Sequence, residues 1–242
     1  VLITGASSGL GLAFLYHYAS QPSTQIIALD IAPLPPDAQS LKNVDFHKAD
    51  ITTPSLLLLA QTLEVENRTI NLLLHSAGIR GLVPEIVAKK TGAVEAAETY
   101  EVMDQDTFMK TLEINTWGTF NVIKSFLPLL KAASTASSEA AKVILMTSRM
   151  GSLAANTTGG SYAYRASKSA LNSVVKSFSI DVPEVVFLLL HPGRVETGLV
   201  GWKEEGAMSV KESLETCLQV IEGLGREESG RFVDRFGESI NW

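Results

Sequence analysis

Cysteine is all but missing from this chain: Cys217 is the only one in 242 residues. No intramolecular disulfide framework can form, and an intracellular, cytoplasmic protein is the simplest expectation. Basic residues are scarce as well. The 20 Lys and Arg are outnumbered by 26 Asp and Glu, giving a formal net charge of −6, which argues against nucleic acid or an anionic membrane as the main partner. Long apolar runs are also lacking. Leu56 to Ala60 and Val185 to Leu190 fall far short of the roughly 20 residues that a membrane helix needs. His17, His47 and His191 form no ligand cluster with carboxylates or with Cys217, so no catalytic metal is expected. The chain starts inside an apolar stretch without a methionine, so a targeting segment upstream would be invisible.

What is present suits one α/β domain spanning residues 1–242. The chain is 45% apolar and 19% charged, enough to bury a substantial core, and nothing suggests a second domain. Val1 to Thr4 reads as a short strand running into Gly5-Ala6-Ser7-Ser8-Gly9-Leu10-Gly11 and then a helix over Leu12 to Ala19. A strand that passes through a glycine-rich turn into a helix gathers unpaired backbone N–H groups and the positive helix end at one point, a cradle for phosphate. Gly5 allows the tight turn, Gly9 the approach of a pyrophosphate, and Gly11 the close packing of helix on strand. The next strand, Gln25 to Leu29, ends at Asp30, whose carboxylate can accept hydrogen bonds from the adenosine ribose and repel a 2′-phosphate. From Val1 to Leu41 there is no Lys or Arg, so NAD is favoured, with NADP possible should a distant loop supply a cation.

Strand three, Val44 to Ala49, delivers Asp50 and Ile51 to the same sheet edge. There Asp50 either meets an adenine amino group, with Ile51 covering the ring, or caps the helix that starts near Pro54 and Ser55. Asn71 to Leu74 is a buried strand ending in His75-Ser76-Ala77-Gly78. Strands alternating with helices predict a Rossmann-type doubly wound parallel sheet of about seven strands with helices on both faces. Ile79 to Asp104 is long for a connection and forms either a flap over the site or a surface insertion. A helix over Gln105 to Ala132 leaves little polar face and is expected to pack on the sheet and on another subunit. Asn115 in its interior is either a hydrogen-bond bracket or part of a proton path. Ala133 to Ala141 reads as a loop, and strand Lys142 to Thr147 brings Ser148 to the edge. Beyond it come the helix carrying Tyr164, strand Val185 to Leu190, a lid over Gly198 to Met208, helix Val210 to Glu222 and strand Gly230 to Asp234.

Ser161 to Lys168 is the stretch with chemistry in it. At helical pitch Tyr164 and Lys168 lie one turn apart, so phenol and ammonium share a face. A cation beside a phenol favours the phenolate and brings it toward the range useful for general acid-base catalysis. Ser148 is either a turn former or a hydroxyl that holds a carbonyl oxygen opposite Tyr164.

Taken together these residues resemble the short-chain dehydrogenase/reductase family over the whole chain. The resemblance rests on Thr4 to Gly11, Asp50, Asn115, Ser148, Tyr164-x-x-x-Lys168 and Pro192-Gly193 in the family's order. The Sniffer and C-factor-like carbonyl reductase branch is closest, through Phe126 to Lys131, Asn156 to Arg165, Ser167 to Asn172 and Gly230 to Asp234. The resemblance implies an oxidoreductase that interconverts a carbonyl and a secondary alcohol with NAD(P). Tyr164 would be the acid or base, Lys168 its activator and a ribose ligand, Ser148 the carbonyl anchor, and Asn115 the holder of a water leading from Lys168. Cofactor contacts are expected from Gly5, Ser7, Ser8, Gly9, Leu10 and Gly11, and from Asp30, Asp50 and Ile51. Further contacts are expected from Ala77 and Gly78 after strand four, from Pro192, Gly193, Val195 and Thr197 near the nicotinamide amide, and from Tyr164 and Lys168. The family's Asn-Asn-Ala-Gly is here His75-Ser76-Ala77-Gly78, and His75 is expected to brace neighbouring strands rather than react. A small, apolar carbonyl or alcohol and a homodimer or homotetramer complete the expectation. The alternative is a dinucleotide-binding signalling or scaffold protein with little turnover.

Overall fold

Successive side chains of a strand point to opposite faces, and the inner strands are buried on both, so helices must cover each side of the sheet. In this computed structural model, which describes residues 1–89, 93–200, 202 and 205–242, seven parallel strands form one sheet in the order β3-β2-β1-β4-β5-β6-β7. They are β1 Leu2–Thr4, β2 Ile26–Asp30, β3 Val44–Lys48, β4 Leu72–His75, β5 Lys142–Met146, β6 Val186–His191 and β7 Arg231–Asp234. Leu2, Leu73, Val143, Leu145 and Phe187 point into one core with helices α3 (Ser55–Val65), α6 (Gly118–Ala136) and α7 (Tyr162–Asp181). Ile3, Leu74, Ile144, Met146 and Leu188 point the other way, onto α1 (Gly9–Ala19) and α8 (Val210–Glu222). The short helices α2 (Pro36–Gln39), α4 (Pro84–Lys89) and α5 (Gln105–Leu112) lie in connections. Chain order reverses between β1 and β4, and ligands of open parallel sheets bind outside the carboxyl ends of the strands at such a point.

Strand positions agree with the sequence reading to within about a residue, but the long helix does not. It is interrupted by a π-helical turn over Glu113–Trp117 and continues to Ala136 instead of stopping at Ala132. The extension follows from Ala133, which is buried in the core beside Leu129 and Leu130. The wide turn contains Asn115, whose side chain bonds to Ile79 and Ser167 outside the helix and whose carbonyl accepts from the Thr119 hydroxyl one turn on. The expected covering of the helix is incomplete in the single chain: Met109 and Trp117 are exposed at 54% and 47%. Among the described residues no helix is long and apolar enough to cross a membrane.

Candidate active site

The glycine turn closes on itself tightly. Gly5 has φ +67°, and a Cβ there would lie 2.8 Å from the backbone nitrogen of Ala77. One at Gly11 would overlap the carbonyl oxygen of Gly5. Gly9, at φ +54°, faces the Thr197 side chain, which a Cβ would meet at 3.4 Å. Ser8 precedes α1 in extended conformation and makes no side-chain cap, and the first turn of α1 carries no acidic residue. The helix therefore presents free N–H groups and its positive end at the carboxyl edge of the sheet, which suits a diphosphate. Leu10 is buried below, in the core with Ile3 and Phe14.

Asp30 stands at the end of β2. Its carboxylate accepts from the backbone N–H of Ser7 at 2.9 Å and of Ala32 at 2.9 Å, which ties the strand end to the glycine turn. Asp50 accepts from the Thr52 N–H at 2.9 Å and the Thr52 hydroxyl at 2.7 Å, and these bonds hold its carboxyl below the usual range. Asp50 is therefore not the cap of α3, whose N-cap position is Pro54 with no side-chain bond. Ile51 packs its side chain into the core, where it fills the space left by the missing side chain of Gly118.

His75 replaces an amide with an imidazole between two hydroxyls. Its Nδ1 lies 2.8 Å from Thr4 Oγ1 and its Nε2 lies 2.9 Å from Thr119 Oγ1. Thr119 donates its only proton to the Asn115 carbonyl at 2.7 Å, so it must accept from Nε2–H. Thr4 accepts from the Ala77 N–H at 3.3 Å and donates to Nδ1. The chain of bonds is satisfied only by neutral imidazole, and burial pushes His75 down to about 3. The bracing role expected of it is what the geometry shows.

Asn115 is fully buried. Its Oδ1 accepts from the Ile79 N–H at 2.9 Å, and its Nδ2 donates to the Ile79 carbonyl at 2.8 Å and to Ser167 Oγ at 2.9 Å. The bracket reading thus describes its side chain. Oδ1 also borders Gly78, where a Cβ would lie 3.0 Å from it and 3.7 Å from Lys168 Nζ, so this glycine keeps the floor of the site open.

Ser148, Tyr164 and Lys168 meet at the carboxyl ends of β4 and β5. Gly159, Gly160 and Ser161 are left-handed in succession, at φ +68°, +68° and +52°, and deliver the chain into α7. Tyr164 and Lys168 are 6% and 4% exposed. The Ser148 side chain lies near enough to the Tyr164 phenol to lower its proton affinity, and its hydroxyl accepts from the Met150 N–H at 3.1 Å. Lys168 Nζ donates to the Met146 carbonyl at 3.0 Å, and burial pushes it down to about 8.

The activator expected for Tyr164 is not the one the structure puts nearest. Lys168 Nζ is 5.7 Å from the ring centroid and the Arg80 guanidinium carbon is 4.8 Å from it. The net effect is a phenol raised above its usual value, not lowered as expected: burial outweighs the Arg80 charge and the nearby Ser148 side chain, which bring it down, and Glu98 adds to the rise. Arg80 and Glu98 were not anticipated, because no spacing rule pairs residues across an irregular segment. That segment lies over the site, since Ser161 N–H donates to the Glu98 carbonyl at 3.1 Å.

The Pro192 region is anchored from below by Ser213, whose hydroxyl donates to the Pro192 carbonyl at 2.7 Å. Gly193 is left-handed at φ +91°. Val195 pairs with Met208, so the chain between them leaves and returns at one place, with Thr197 above Gly9. The expected lid over Gly198 to Met208 falls partly outside the described residues. Among the described residues no group of His, Cys, Asp and Glu could hold a metal ion.

A family model described as short chain dehydrogenase matches residues 1–207. The C-signal protein of Myxococcus xanthus is 39% identical over 175 residues, covering 72% of this chain and 93% of that protein. Among solved structures, carbonyl reductase Sniffer of D. melanogaster superposes with a TM-score of 0.83 at 29% identity, covering 100% of this chain and 98% of that one. An NADPH-bound carbonyl reductase from chicken fatty liver gives a TM-score of 0.81 at 26% identity, with the same coverage.

Proposed function

The chain belongs to the short-chain dehydrogenase family, and on that premise we propose that it interconverts a carbonyl and a secondary alcohol, with Tyr164 as general acid or base. Membership makes it an oxidoreductase of CH–OH and C=O groups that uses NAD(P). The observation that carries the finer reading is the gathering of Ser148, Tyr164 and Lys168 at one buried place, with Ser148 acting on the phenol and Lys168 one turn along the helix. When bound, the nicotinamide cofactor supplies or takes the hydride. Tyr164 gives the proton to the carbonyl oxygen in reduction and removes it from the alcohol in oxidation. Ser148 holds that oxygen against the phenol. Lys168, brought by burial to about 8, is close enough to neutrality to pass protons on, and its place beside Gly78 and Asn115 lets it hydrogen-bond a ribose as well.

NAD is the preferred cofactor. Asp30 places a carboxylate bonded to Ser7 where a 2′-phosphate would have to sit, and residues 1–41 offer no cation to offset it. The diphosphate belongs at Ser7 to Gly11, the adenosine at Asp30 and Asp50, and the nicotinamide near Ala77, Gly78 and the Pro192 to Thr197 segment. The substrate is a small, apolar carbonyl or alcohol. Residues 1–242 act as one Rossmann domain, inside the cell, and the exposed Met109, Trp117 and Ile180 belong to a homodimer or homotetramer contact.

The name of the 39%-identical C-signal relative supports a second reading, a dinucleotide-binding signalling protein. A panel of apolar ketones, aldehydes and secondary alcohols, followed by NADH absorbance, separates the two. Turnover is expected. Tight cofactor binding with no turnover on the whole panel sinks the catalytic reading.

A further inference from the structure

Arg80 and Glu98 take no part in the proton transfer just described, yet they are the most constrained ion pair near it. Arg80 Nε and a terminal guanidinium nitrogen donate to the two carboxylate oxygens of Glu98, each at 2.8 Å, and the Glu98 side chain is 3% exposed. Stability alone is a poor reason for such a pair, because taking both ions from water costs about as much as their attraction returns. The pair also holds two things that matter to the site. The guanidinium lies over the Tyr164 ring and donates to Ser161 Oγ at 3.3 Å, while the Glu98 carbonyl accepts from the Ser161 N–H. Ser161 is a non-glycine residue in left-handed conformation at the start of α7. Such a conformation persists only when its surroundings enforce it.

We propose that Arg80, locked by Glu98, is the positioning residue for Tyr164: it holds the ring beside Ser148 and lays a fixed positive charge over it. The proposal rests on the reading of Tyr164 as the acid or base. The charged groups facing the phenol are Lys168 from α7 and Arg80 and Glu98 from the connection after β4. Arg165, the next residue on α7, is turned to the carbonyls of Gly159 and Gly160. Arg80 brings the phenol down more than any other neighbour, and Glu98 opposes it. Removing the carboxylate charge and removing the whole pair must therefore move Tyr164 in opposite directions, which a merely structural role would not do.

The test is a near-ultraviolet titration of the phenolate in the cofactor-free full chain, each background measured as a difference against the same background carrying Tyr164→Phe. Glu98→Gln is expected to make the phenol more acidic, and Arg80→Gln with Glu98→Gln to raise its proton affinity roughly tenfold over the unmodified chain. Arg80→Lys keeps the charge but loses the fork, so its titration should stay within about threefold of the unmodified chain while turnover falls. No movement, or movement of Glu98→Gln and the double variant in the same direction, overturns the proposal. Should the double variant not fold, Glu98→Gln decides alone, since a midpoint that stays or rises is contrary to it. Absence of turnover in the unmodified chain would strike the catalytic reading and leave the titration result standing.

Discussion

A single carboxylate, Asp30, stands where the two forms of the cofactor differ. It already accepts two backbone N–H bonds, so its charge is fixed in place at the end of β2. Asp30→Ala should weaken NADH binding and narrow the preference over NADPH by about tenfold, measured as a ratio of dissociation constants; an unchanged ratio would remove Asp30 from the recognition. His75 gives a second test. The unfolded chain takes up a proton near pH 6.5, while the folded chain resists until about 3, so stability is present above the unfolded value and is lost as pH falls between them. Each pH unit in that window removes about 1.4 kcal/mol per such group. His191, pushed by burial to about 4, adds to the same slope. His75→Asn, which cannot titrate, should flatten the acid limb by about 2 kcal/mol between roughly pH 6.5 and 5 in urea unfolding. An unaltered slope would mean that the imidazole is not held neutral. The sequence marked His75 as a departure from the family's amide, but only the placement of Thr4 and Thr119 shows why an imidazole is accommodated.

At the scale of elements, the π-helical turn deserves a direct probe because it joins three parts of the site. Asn115 fixes both backbone groups of Ile79 and reaches Ser167 on α7. Asn115→Ala leaves the buried N–H and carbonyl of Ile79 without these partners, and an unsatisfied group of that kind costs about 1–3 kcal/mol. We expect a loss of about 2–4 kcal/mol in chemical unfolding together with a fall in turnover; a change below about 0.5 kcal/mol would show that the bracket is dispensable. The turn itself was not legible, because local propensity over Gln105 to Ala132 favours a regular helix and only the misplaced amide hinted otherwise. Strands were legible for a plain reason. Burial on both faces writes continuous apolar runs into the sequence, whereas the connection from Ile79 to Asp104 is organised by the Arg80 to Glu98 contact, which leaves no periodic trace. The same holds for Asp50, where a turn with Thr52 outcompeted the capping role its position suggested.

For the molecule as a whole, the carboxyl edge of the sheet explains why motifs far apart in sequence act together. Thr4, His75, Met146 and His191 end neighbouring strands, and each is followed by one part of the site. That convergence could be read from strand alternation and the glycine turn before any coordinates. The exposure of Met109, Trp117 and Ile180 could not, since the sequence of a helix covered on several sides does not say by what. Sedimentation should give a dimer or tetramer mass, and Ile180→Asp should reduce it; a monomer at micromolar concentration would oppose the assignment of these positions to a subunit contact.

The acid-base account depends most on one oxygen atom. Tyr164→Phe keeps the ring against Arg80 and removes only the hydroxyl that would carry the proton. Turnover of the best carbonyl in the panel should fall by about 10²- to 10⁴-fold with NADH affinity unchanged, and equal turnover by the two proteins would contradict the mechanism outright.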